Sequence, residues 1–61
     1  MKQAALAIIE DDQDIRELVL AFFRQKSFIT RGYEDAASFL KALESREFEP
    51  SVVLTDLNLP E

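Results

Sequence analysis

The chain contains no cysteine and no histidine. No disulfide can brace it, and a zinc site built on thiolate or imidazole is excluded, so any metal it binds must be met by oxygen ligands. Glycine occurs once, at Gly32, and proline twice, at Pro50 and Pro60. A single glycine cannot supply the Gly-rich turns with which P-loop and dinucleotide-binding proteins cradle phosphate, and both readings fail. No apolar run approaches the ~20 residues of a membrane span. The amino-terminal one, from Ala4 to Ile9, is also too short for the apolar core of a secretory signal. Positive charge is scarce as well: 7 Lys and Arg stand against 12 Asp and Glu, a net charge of −5, and the basic residues are scattered. That distribution carries no footprint for direct nucleic-acid binding. A cytoplasmic protein away from membranes is expected, in agreement with the missing cysteines.

A chain of 61 residues makes one domain, read here as 1–61, and a domain near this size buries only ~60% of the surface its unfolded chain exposes. A single core so small rarely supplies more than ~3 to 5 kcal/mol, and natural mini-domains add a staple. With disulfides excluded, homo-oligomerisation is the expected support.

Ala4 to Ile9 is continuously apolar and bounded by charge, the pattern of a strand buried on both faces of a parallel sheet. Ile15, Leu18, Val19, Phe22 and Phe23 then recur at helical spacing, with Asp12 or Asp14 placed to cap the start and Arg24 and Lys26 near the end. Phe28 to Tyr33 is short and rich in β formers and reads as a second strand. Ala36, Phe39, Leu40 and Leu43, preceded by Asp35, predict a second amphipathic helix to about Arg46. Glu47 to Ser51, with Pro50, is a loop, and Val52 to Leu54 is a third buried strand. The order β-α-β-α-β predicts an α/β fold with a parallel sheet and right-handed crossovers.

Two apolar strands therefore run into acids: Glu10-Asp11-Asp12 after the first, and Asp56 after the third. In a parallel sheet both groups leave the same edge, where open α/β sheets bind ligands. Two like charges 4 Å apart cost about 4 kcal/mol at an effective dielectric of 20. A cation should therefore sit among them, and carboxylate and carbonyl oxygens suit Mg²⁺, with Mn²⁺ a substitute. A carboxylate beside such a cation can also attack phosphorus, which makes Asp56 a candidate phosphoacceptor. The plainer role of acids after strands is helix capping and solubility, and Asp12 and Asp14 lean that way. The five phenylalanines, Phe22, Phe23, Phe28, Phe39 and Phe48, read as packing residues, as does Tyr33.

Ile8-Ile9-Glu10-Asp11-Asp12-Gln13-Asp14-Ile15-Arg16 and Val52-Val53-Leu54-Thr55-Asp56-Leu57-Asn58-Leu59-Pro60, with the elements between them, resemble the receiver domain of two-component response regulators. The match spans the chain but only about the first half of a typical receiver. The resemblance implies a β-α-β-α-β half of a flavodoxin-like receiver fold, with a three-stranded parallel sheet in order 2-1-3. It also implies that Asp56 is the phosphorylated aspartate, that Glu10 and Asp11 hold Mg²⁺ with it, and that Asn58 contributes a backbone carbonyl to the metal. The phosphoryl group would come from a histidine kinase or a small phosphodonor, and the module would signal rather than act as an enzyme.

The chain departs from the family in lacking the later Ser/Thr and Lys; Lys2, Lys26 and Lys41 do not match that lysine. A chain ending after its third strand would expose that strand's edge. The alternative expectation is therefore an interaction module, not phosphorylated, that self-associates as a dimer or binds another receiver through this edge. A haloacid-dehalogenase-type phosphotransferase would need a second Asp two residues after the first, where this chain has Asn58.

Overall fold

A computed structural model describes residues 4–55. Strand β1 (Ala5–Ile9) is followed by helix α1 (Gln13–Gln25), strand β2 (Ile29–Tyr33), helix α2 (Ala36–Glu44) and strand β3 (Val52–Leu54). The three strands form one sheet in order β2-β1-β3, and both pairings are parallel. This is the β-α-β-α-β arrangement expected, with the strand order of the amino-terminal half of flavodoxin-like folds.

Each helix begins on an aspartate. The Asp12 side chain accepts a hydrogen bond from the Ile15 amide at 3.1 Å, and that of Asp35 accepts one from the Ser38 amide at 2.8 Å, each satisfying a donor that has no partner within the helix. Both helices end on a left-handed residue, Ser27 (φ 68°) after α1 and Arg46 (φ 58°) after α2. There the chain folds back, with Phe28 N–H donating to Phe23 O and Glu47 N–H to Ala42 O. These six-to-one bonds are the Schellman termination that glycine usually serves. Helix α2 thus stops at Glu44, two residues short of the Arg46 read from its periodicity.

Alternation along β1 divides the core. Leu6 and Ile8 face α1 and pack with Leu20, supported by Val19, Phe23 and Leu54. Ala7 faces α2 and packs with Phe39 and Phe48, supported by Ala5, Ile9, Tyr33 and Leu43. Helices on both faces of the central strand explain why β1 reads as unbroken apolar sequence.

Two expectations are corrected. Phe22 is not core packing but 53% exposed, and Leu18 is 64% exposed. Val19 and Phe23 of the expected stripe do meet the sheet, and they are joined there by Leu20 and the stem of Arg16. Strand β3 is likewise not buried: Val52 and Val53 are 48% and 41% exposed. Both helices lie over β1 and β2, and among the described elements β3 neighbours only β1.

Candidate functional site

Because the strands are parallel, β1, β2 and β3 end at one edge of the sheet, at Ile9, Tyr33 and Leu54. Glu10, Asp11 and Asp12 leave β1 there, and Glu34 and Asp35 leave β2. Helices α1 and α2 begin at the same edge, so the positive ends of both helix dipoles offset part of this negative charge.

Glu10 is tied down along its whole backbone. Its amide donates to Tyr33 O at 2.9 Å, prolonging the β1–β2 ladder by one residue beyond Ile9. Its carbonyl accepts from Arg16 Nη1 at 2.7 Å in a partly buried setting. One carboxylate oxygen, Oε2, accepts the Asp12 amide at 3.0 Å, and Asp12 in turn caps α1. Asp11 occupies the bend between these fixed points and is exposed to solvent. The two acids assigned to metal binding thus stand next to each other at the mouth of the β1–α1 turn, one half-buried and one exposed.

Asp56 and Asn58, the other two assigned residues, lie outside the described residues. Among the described residues no group of three or more acidic side chains is placed to hold a metal ion. Glu10 and Asp11 are consecutive acids at this edge, and their donors are carboxylate oxygens. This all-oxygen donor chemistry fits Mg²⁺ or Mn²⁺, for which a few protein carboxylates complemented by water suffice.

Asp35 does different work. The Ser38 backbone amide, joined by a side-chain hydrogen bond from Ser38, holds the Asp35 carboxyl below its ordinary value. Asp35 is therefore committed to capping α2. Tyr33 packs its ring against Phe39 with centroids 5.4 Å apart, so it has the packing role read from the sequence. Arg31 lies over the Phe48 ring at 5.1 Å, and its 4.0 Å approach to Glu47 is a solvent-exposed ion pair of little energetic weight.

Sequence reasoning gave no structural role to Arg16 and Gly32. A Cβ added at Gly32 would lie 3.0 Å from Arg16 Cγ, Arg16 Cδ and Leu20 Cδ1. Gly32 is thus a notch in β2 across which the Arg16 stem passes on its way to Glu10. The available signal was the isolated glycine inside a strand pattern, which marks close approach of other atoms.

No family model matches this chain, and neither a curated protein nor a solved structure matches it.

Proposed function

We propose that this chain is a receiver-type phosphoacceptor module of cytoplasmic two-component signalling, in which Glu10 and Asp11 bind Mg²⁺ together with Asp56 and Asp56 accepts a phosphoryl group. The observation that carries this reading is the parallel pairing of β1 with β3, in which Ile8 stands opposite Leu54. Glu10 follows Ile8 by two residues, and in the sequence Asp56 follows Leu54 by two. Strand order 2-1-3 supports the same reading, since the resemblance implies it.

Bound Mg²⁺ would neutralise charge on the incoming phosphoryl oxygens. An Asp56 carboxylate oxygen attacks phosphorus, the bond from phosphorus to the donor's leaving atom breaks, and an aspartyl phosphate results. Glu10 and Asp11 serve as ligands, with the Asn58 carbonyl as a further one. The donor is a histidine kinase or a small phosphodonor, and the chain's own product is a signal rather than turnover.

The test combines a Mg²⁺ titration followed by amide chemical shifts with intact-mass analysis after exposure to acetyl phosphate. Shifts at Glu10 to Gln13, and a single phosphoryl adduct lost in Asp56→Asn, are expected. An adduct that persists in Asp56→Asn, or a Mg²⁺ affinity that this substitution leaves unchanged, overturns the assignment.

A second reading is favoured by the exposure of Val52 and Val53. In it β3 pairs with a second copy about a two-fold axis, and the chain works as an interaction module without phosphorylation. Sedimentation equilibrium decides it: a folded monomer at micromolar concentration removes the dimer.

A further inference from the structure

We infer that Arg16 is a positioning residue, which holds the Glu10–Asp11 turn in the shape a divalent cation requires; this rests on the metal reading above. The guanidinium is the strongest donor at this turn, yet its described bond goes to a backbone carbonyl, Glu10 O at 2.7 Å, and not to a neighbouring carboxylate. That carbonyl belongs to the peptide plane joining Glu10 to Asp11. Fixing it, together with Glu10 N–H on Tyr33 O and Asp12 N–H on Glu10 Oε2, sets the direction in which Asp11 leaves the chain. A charge-assisted bond in a partly buried place is stronger than the neutral ones around it.

Gly32 is the other half of the device. Its missing side chain lets the Arg16 stem lie against β2, with Leu20 Cδ1 closing the same space. The stem is thereby held in one path, and the carbonyl bond costs less side-chain entropy than it would on a free arginine. Partners of this kind, which orient the ligands without touching the metal, commonly change affinity by about 10- to 100-fold when removed.

Charge and position act in opposite directions here, which makes the inference decidable. A cation repels Arg16, so loss of its charge alone tightens Mg²⁺ binding. Loss of its hydrogen bond loosens the turn and weakens binding.

The experiment titrates the 61-residue chain with MgCl₂, reading amide shifts at Glu10 to Gln13, with thermal unfolding as a control on the fold. Arg16→Met is expected to weaken Mg²⁺ by about tenfold, and Arg16→Lys, which keeps a charged donor, to recover most of the loss. Gly32→Ala keeps the arginine and its charge but displaces the stem, and is expected to weaken Mg²⁺ in the same direction. Folded Arg16→Met that binds Mg²⁺ as tightly as the parent or more tightly overturns the positioning role while leaving the metal site standing. If Arg16→Met does not fold, an unchanged affinity in Gly32→Ala has the same meaning. A parent chain that does not respond to Mg²⁺ at all removes the metal reading, and this inference with it.

Discussion

Thr30→Val should stabilise the protein. Thr30 is the second residue of β2, is only 5% exposed, and pairs in register with Leu6 beneath α1. Its Oγ1 has no hydrogen-bond partner among the described residues. Its carbonyl, by contrast, is satisfied by Arg24 Nη2 at 3.2 Å, and that bond does not depend on the side chain. Mutational data place the cost of burying an unpartnered hydroxyl at about 1 to 3 kcal/mol. Valine keeps the branched shape and the β preference and removes only the polar atom. A gain of about 1 kcal/mol is expected, at the low end because some relaxation always recovers part of the penalty. At an unfolding entropy of about 2.1 cal/mol/K per residue, 1 kcal/mol corresponds to a rise of roughly 8 °C in Tm for a chain this short. Circular dichroism melts and urea titrations of the two proteins at matched concentration measure it. A loss of about 1 kcal/mol in Thr30→Val, instead of a gain, would show that the hydroxyl is hydrogen-bonded and refute the reasoning.

Other consequences are open to equally direct checks. Phe39→Ala removes a ring buried against Ala7 and Phe48 and should cost about 3 to 5 kcal/mol, enough to unfold most of the population, whereas Phe22→Ala on the exposed face should change stability by less than about 0.5 kcal/mol. Equal urea midpoints for these two variants would contradict the assignment of faces. The Asp35 carboxyl is lowered by the Ser38 amide, so its capping contribution is complete above the ordinary carboxylate value of about 3.9 and is lost as pH falls through the lowered folded value. The Ser38 amide shift should titrate with a midpoint below 3.9, and the stability difference between the parent and Asp35→Ala should shrink only in that acid range. A Ser38 midpoint at or above the ordinary value would remove the cap as its cause.

Both helices were legible in the sequence because each carries a helical period and its own aspartate, and the strands because each is a short run of apolar or β-forming residues bounded by charge or a turn. The face of α1 was not. Counting apolar residues selects a stripe of Ile15, Leu18, Val19, Phe22 and Phe23, of which Val19 and Phe23 do pack on the core, but the buried side is rotated away from Leu18 and Phe22, toward Leu20 and Arg16. The count fails because it scores arginine as polar, while the stem of Arg16 is what fills the notch at Gly32. Strand β3 fails for a related reason. Val52-Val53-Leu54 has the composition of a buried strand, yet burial is conferred by what lies above and below, and only Leu54 reaches the core beneath α1 while Val52 and Val53 stay exposed. Of the candidate site, Glu10 and Asp11 were found where the paired motifs put them, at the end of β1. The bonds that hold their turn were invisible because they run from a side chain and from β2 to backbone atoms, which leave no residue pattern.

In the sheet β3 pairs with β1 alone among the described strands, and of its three residues only Leu54 packs on the core. Its amides should therefore exchange with solvent well before those of β1, since opening it breaks one ladder and uncovers little apolar surface. The proposed metal site draws on both strands, so its integrity is tied to the hinge between a firmly held partner and a lightly held one. A cation bridging the two would close that hinge and slow the exchange of Val53 and Leu54 by the same factor by which it favours the closed form. Ligand occupancy and the local folding of β3 would then be two readings of one equilibrium.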